Sequence, residues 1–186
     1  VFARRTWLKK FLAHYELFKM SHEIPGDILE LGVFKGSSLF SWANFLEIHN
    51  MGDRQKQVFG LDNFKGFNKL TPEDGKEDKN VEKIAGGFNP GESAYSLLKE
   101  ATNIFDQDRF IPEKSRLIIE KRDVETDLKD FLNEHPGIRI SLLHFDCDLY
   151  KPTLNALKLL WPLVSPGAVV IFCLLYTSPS PRDKTV

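Results

Sequence analysis

Cysteine is scarce in this 186-residue chain: only Cys147 and Cys173 occur, without metal-ligand spacing and without the makings of a disulfide framework. Each is expected to be a small buried residue. Charge of one sign is lacking too. The formal net charge is −1, from 25 lysines and arginines against 26 acids, so nothing favours a nucleic acid or a membrane surface as partner. No apolar run approaches the roughly 18 to 20 residues of a membrane span. The amino end, with Arg4, Arg5, Lys9 and Lys10, is a basic amphipathic stretch that has no signal-peptide core. A cytoplasmic protein is the expectation, with self-association into a homo-oligomer left open. Internal repeats are absent, and so are two nucleotide-binding signatures. There is no Gly-x-Gly-x-x-Gly run, and the loop Gly32 to Gly36 is not a Walker loop, because three residues separate its glycines and Lys35 precedes the second.

What is present is an alternation of short β-rich runs with helical periodicity. An amphipathic helix over 7–20 leads to a strand over 27–32, and Gly36, Ser37 and Ser38 mark the start of a helix over 37–49. Further strands are expected at 57–62, 116–121, 138–146 and 168–172, with a helix at 154–163. Such alternation implies parallel pairing and right-handed crossovers, and hence one doubly wound, Rossmann-like α/β domain over 1–172. The stretch 63–110 is the exception. It combines five glycines (Gly66, Gly75, Gly86, Gly87, Gly91) with Phe64, Phe67, Phe88 and Tyr95, and a connection of that length is usually a functional lid or disordered. A helical part over 94–105 is expected to anchor its far end.

Both ends look unusual. The first residue is Val1, so the natural start is expected upstream, and Cys173 to Asp183 resembles the translation of a transposon-end sequencing adaptor. Residues 173–186 are expected to be a non-native tail, with natural sequence ending near Phe172. An ordinary Ser/Pro-rich tail is the other reading.

Acids cluster at the expected carboxyl ends of strands, where open α/β sheets keep their ligands. Asp146 and Asp148 follow the apolar run ending at Leu143, and an extended backbone would put two residues so spaced on one side. Such a pair can hold a hard divalent cation, or one member can act as a base. It can equally cap the next helix. His144 is a rival base, whereas the other histidines are expected to be surface or packing residues. Asp62 ends the second strand, where a ribose would be held, and Asp123 with Val124 ends the third, where an adenine would lie. Each also has a plain reading as a turn or strand-end residue. Glu30, Gly32 and Gly36 at the first strand's exit suit a nucleoside ligand without pyrophosphate.

Three segments together, Glu30-Leu31-Gly32-Val33-Phe34-Lys35-Gly36, Leu61-Asp62-Asn63-Phe64-Lys65-Gly66-Phe67 and Phe145-Asp146-Cys147-Asp148-Leu149-Tyr150, resemble the macrocin and dTDP-6-deoxyhexose O-methyltransferases, the TylF type of class I enzyme. The resemblance implies S-adenosyl-L-methionine as cofactor, with Glu30, Leu31, Gly32, Val33, Phe34, Lys35, Gly36, Asp62, Asn63, Phe64, Lys65, Gly66, Asp123 and Val124 around it. It implies Asp146 as a Mg2+ ligand and Asp148 as the general base toward the hydroxyl of a sugar or sugar-nucleotide acceptor. It also implies further metal-binding acids and two more strands beyond Phe172. These are not found in this sequence, so the sheet is expected to be incomplete at its carboxyl-terminal edge and metal-dependent turnover to be absent. Two other functions remain beside it: a non-catalytic nucleoside-binding module and an NAD-type oxidoreductase.

Overall fold

A computed structural model describes residues 5–79 and 82–173. Apart from Cys173, the expected non-native tail lies outside the described residues. Five strands, β1 (Asp27–Leu31), β2 (Val58–Asp62), β3 (Leu117–Lys121), β4 (Ile140–Phe145) and β5 (Val164–Phe172), form one sheet in the order β3-β2-β1-β4-β5. Every pairing is parallel. The helices are α1 (Arg5–Ser21), α2 (Ser37–His49), α3 (Ala94–Gln107), α4 (Leu128–Glu134) and α5 (Tyr150–Leu160).

Strand side chains alternate between two cores, as a sheet covered on both faces requires. Ile28 and Leu142 pack with Phe18 of α1, Trp42 and Leu46 of α2 and Leu98 of α3. Leu29, Leu31, Leu143 and Phe145 pack on the other face with Leu128 and Phe131 of α4 and Ala156 and Leu160 of α5. All six residues of β4 are buried, so its apolar residues do not alternate with exposed ones, and its two polar residues, Ser141 and His144, are buried as well.

Boundaries differ from the sequence expectation in three places. Helix α4 was not anticipated: it has seven residues and buries only Leu128 and Phe131, too short a period to stand out. Helix α5 starts at Tyr150 instead of residue 154, because Pro152 falls in the first turn, where its missing N–H is harmless. Strand β5 begins at Val164: Ile140 pairs with Val164 and Leu142 with Val169, so the Ser165-Pro166-Gly167 run bulges within the strand instead of preceding it.

The chain runs outward from β1 to β2 and β3, then crosses back to β4 on the other side of β1. The crevice between the carboxyl ends of β1 and β4 is therefore the switch point at which such sheets bind ligands. Gly32 makes the approach there. Its φ is +90°, and a Cβ on it would lie 2.3 Å from the carbonyl oxygen of Asp146, so only glycine lets the two strand ends meet.

Candidate active site

A cavity of about 840 Å³ opens over that crevice. Gly32 and Phe34 from the end of β1, Asp62, Asn63 and Gly66 from the end of β2, Asp123 and Val124 after β3, and Asp146 and Asp148 after β4 all line it. Four strand ends thus contribute, as the acids in the sequence suggested.

Asp62 organises the wall between β1 and β2. One carboxylate oxygen accepts the amides of Val33 and Phe34, both at 2.8 Å, and the other accepts the Phe64 amide at 2.6 Å. The turn after β1 is thereby tied to β2, and Phe34 takes a left-handed φ of 51° that faces its ring to the cavity. Asp123 receives the side-chain amide of Asn68 at 2.7 Å, closing the far side.

Seven residues expected around a cofactor do not line the cavity. Glu30 is fully buried beneath it: its oxygens accept Ser38 Oγ (2.9 Å), Trp42 Nε1 (2.8 Å) and an Nδ1–H from His144 (2.8 Å). Its position on β1 puts it among α2 and β4 side chains, so its role is to join three elements under the floor. Leu31, Val33 and Phe64 are packed in the two cores, although the Val33 and Phe64 amides do shape the wall. Gly36 is buried at the start of α2, where a Cβ would strike Leu98. Lys35 and Lys65 point outward and are exposed.

Asp146 and Asp148 both reach the cavity, but not by strand alternation. The strand stops at Phe145, and Asp148 sits at a left-handed φ of 61°. A turn, closed by the Leu149 amide on the Cys147 carbonyl (2.7 Å), brings the second carboxylate round. Nor does Asp148 cap the helix: α5 has no side-chain cap of its own. Burial, and then the neighbouring charge of Asp146, pushes the Asp148 carboxyl up to about 7. Cys147 also borders the cavity; its thiol lies 3.3 Å from the Thr153 hydroxyl, and burial pushes it up to about 11.

The alternative base fails on placement. His144 is fully buried, with Nδ1 committed to Glu30 and Nε2 without a hydrogen-bond partner. One ring nitrogen of His144, a carboxylate oxygen of Asp146 and the thiol of Cys173 lie within 4.8 Å of one another. Such a mixed nitrogen, oxygen and sulfur set suits a borderline metal rather than Mg2+, which takes near-octahedral oxygen. Lys10 of α1 also sits on Asp146, its ammonium 3.4 Å from the carboxylate. Of these donors only the Asp146 carboxylate is of the oxygen type that magnesium takes.

Several lining residues had no signal in the sequence. Lys10 arrives from 136 residues away, and Asn68 and Lys83 come from the long segment after β2. Phe67 and Phe88, noted as lid aromatics, do line the cavity; their rings lie 5.2 Å apart, and Phe88 meets Phe34 edge-on at 6.2 Å.

The profile of a family described as "Methyltransferase domain" matches residues 29–172. The chain is similar to an 8-demethyl-8-(2,3-dimethoxy-alpha-L-rhamnosyl)-tetracenomycin-C 4'-O-methyltransferase of Streptomyces olivaceus, at 31% identity over 80% of this chain and 52% of that protein. It is similar to a mycinamicin III 3''-O-methyltransferase of Micromonospora griseorubida, at 28% identity over 80% of this chain and 54% of that protein. The crystal structure of CalS11, a calicheamicin methyltransferase, superposes with a TM-score of 0.87 at 26% identity, covering 93% of this chain and 66% of that one. The chain spans about half the length of the curated relatives it matches.

Proposed function

This chain belongs to the methyltransferase-domain family, and from that premise we propose that it binds S-adenosyl-L-methionine and transfers the methyl group to a hydroxyl of a sugar-bearing acceptor, in the manner of the TylF-type enzymes. The observation that carries the reading is the one cavity that joins Asp62, Asp123 and Phe34 on the β1–β2–β3 side to Asp148 on the β4 side. The first group suits a nucleoside: the Asp62 oxygen that accepts only the Phe64 amide keeps one lone pair for a ribose hydroxyl, and Val124 offers an apolar contact to a base. The second suits an acceptor. Relatives whose names specify O-methylation of rhamnosyl or macrolide products favour a sugar.

A sugar hydroxyl is a weak nucleophile at neutral pH, whereas a sulfonium methyl is already activated. The protein must hold acceptor oxygen, methyl carbon and sulfur in line and take the proton as the new C–O bond forms and the C–S bond breaks. Asp148 is placed to receive that proton. Its carboxyl near neutrality is matched to the task, since a base of ordinary carboxylate strength would hold the proton too weakly. Lys10 balances Asp146 beside it, so that two carboxylates can share the site.

Calorimetry with S-adenosylhomocysteine tests the cofactor half. Asp62→Ala should weaken binding about tenfold or more, since a charged hydrogen-bond acceptor is worth on the order of 1.5 to 3 kcal/mol. An affinity within twofold of the parent chain would remove Asp62 from the site. For the acceptor half, transfer of labelled methyl to deoxysugar nucleotides should fall by roughly 10² in Asp148→Asn with homocysteine-product affinity unchanged. Asparagine is the substitution of choice because it tolerates the left-handed turn. Undiminished transfer would unseat Asp148 as base.

A further inference from the structure

From Gly66 to Gly75 the chain forms a strap with little regular structure, whose first residues border the cavity. It contributes Phe67 and Asn68 to the lining. Gly66 lets it run close to the following turn: its φ is +81°, and a Cβ there would lie 2.4 Å from the Gly87 carbonyl oxygen. At its near end the strap is tied by Phe67, whose amide donates to Gly87 O (2.9 Å) and whose carbonyl accepts the Gly86 amide (2.8 Å). Asn68 ties it to Asp123.

The far end is held differently. Pro72–Asp74 forms one 3-10 turn whose neighbours Pro72, Glu73, Gly75 and Lys76 are exposed, yet Asp74 is only 8% exposed. Both of its oxygens are engaged. One accepts the Thr71 amide (2.7 Å) and the Thr71 hydroxyl (2.8 Å), which closes the local turn. The other accepts the backbone N–H of Tyr150 at 2.7 Å, 76 residues further along the chain. Tyr150 is the first residue of α5, a helix that supplies no side-chain cap of its own. A capping box explains the Thr71 bonds; it does not explain the bond to Tyr150. Asp74 is therefore the N-cap of α5 provided from another segment, a carboxylate against the positive end of the helix.

We propose that Asp74 is a positioning residue that couples closure of the 66–75 strap to the shape of the proton-accepting turn. Tyr150 lies two residues after Asp148, whose carboxylate reaches the cavity only because its backbone is left-handed. With the strap down, Asp74 pins the start of α5 and so fixes the turn that carries Asp148. With the strap lifted, the Tyr150 amide loses its partner, α5 frays at its first turn and Asp148 loses its fixed direction. Cavity access and a correctly aimed Asp148 are in this way alternatives set by a single contact. The coupling rests on the proposed role of Asp148 for its catalytic meaning, but the contact itself does not.

Amide hydrogen exchange on the ligand-free chain reads it directly, because a first-turn helical N–H exchanges freely unless something outside the helix accepts it. In Asp74→Ala, exchange at Tyr150 and at residues 67–70 should rise together by about tenfold or more, with β4 amides unchanged. Asp74→Asn, which retains one acceptor oxygen, should fall between. Thr71→Val, which loosens only the local turn, should leave Tyr150 protected. Stopped-flow binding of S-adenosylhomocysteine adds a readout that mere loss of stability would not move: association and dissociation should both quicken about threefold or more in Asp74→Ala. Unchanged protection at Tyr150, a change in the strap without one at Tyr150, or a uniform rise that includes β4 would each overturn the proposal. If the parent chain bound no S-adenosylhomocysteine, the cofactor reading would fail, while the exchange pattern would still decide the role of Asp74.

Discussion

His14 shows how one buried side chain sets a pH dependence. It stacks on Trp42 with ring centroids 4.6 Å apart and meets His144 edge-on at 5.4 Å, and it is only 6% exposed. Burial first, then the neighbouring His144 and Lys10, push its pKa down to about 3, with Asp146 opposing. The folded state thus keeps His14 neutral well below the pH at which the unfolded chain protonates it, near 6.5. Its contribution is fully present above pH 6.5 and is lost progressively as pH falls toward 3. Chemical denaturation of the parent chain and of His14→Phe, which keeps a ring on Trp42 but cannot titrate, should therefore show the variant gaining in relative stability by about 2 kcal/mol between pH 7.5 and 4.5. A constant difference over that range would mean that His14 does not titrate as described. Glu30 teaches a related lesson at the same scale. Its place in the Glu-x-Gly run suggested contact with a cofactor, but the side chain of a β1 residue on that face can only point between α2 and β4, where it binds Ser38, Trp42 and His144.

Elements are joined by buried cations that the sequence does not single out. Lys56, just before β2, donates its ammonium to the carbonyls of His22 (3.0 Å) and Ile24 (2.6 Å) after the end of α1 and to Ser141 Oγ (3.0 Å) on β4. Burial lowers its pKa despite Asp53 and Asp27 nearby. These contacts make it the carboxyl-terminal cap of α1 and the clamp of that helix to the sheet. Lys56→Met should destabilise the chain by about 1 to 3 kcal/mol, because it removes a charged donor shared by two carbonyls and the Ser141 hydroxyl. The loss should appear as earlier exchange of α1 amides in native-state hydrogen exchange, and a variant that melts with the parent would show the cap to be dispensable. Just before β3, Arg116 makes a similar tie to Glu47 of α2 at 2.6 Å, with Arg109 on the same carboxylate at 2.8 Å. Helix α4 escaped the sequence reading for the opposite reason: a seven-residue element with two buried residues has no period to read.

Across the whole molecule, the two halves of the sheet meet at β1 and β4, and the cavity spans the joint. A ligand spanning Asp62 on one half and Asp148 on the other would draw the strap between them, so cofactor should slow tryptic cleavage after Lys69, Lys76 and Lys83 severalfold while leaving cleavage after the exposed Lys129 of α4 unchanged. Equal cutting at these sites with and without S-adenosylhomocysteine would mean that the 63–93 segment does not respond to the ligand. The sequence by itself determined the parallel doubly wound sheet, the strands that compose it and the acids at their carboxyl ends, because period, apolar runs and the residue after each run are local properties. It also carried the family resemblance, which is a matter of order and spacing along the chain. Only the tertiary structure decided which of those residues face the cavity. Glu30, Leu31 and Phe64 turn into the protein because a strand face or a core takes them, and Asp148 turns outward because its backbone reverses hand. Lys10 reaches Asp146 across 136 residues and Asp74 reaches the Tyr150 amide across 76, and contacts at that separation exist only once the chain has folded back over the strand ends, so no local pattern could announce them.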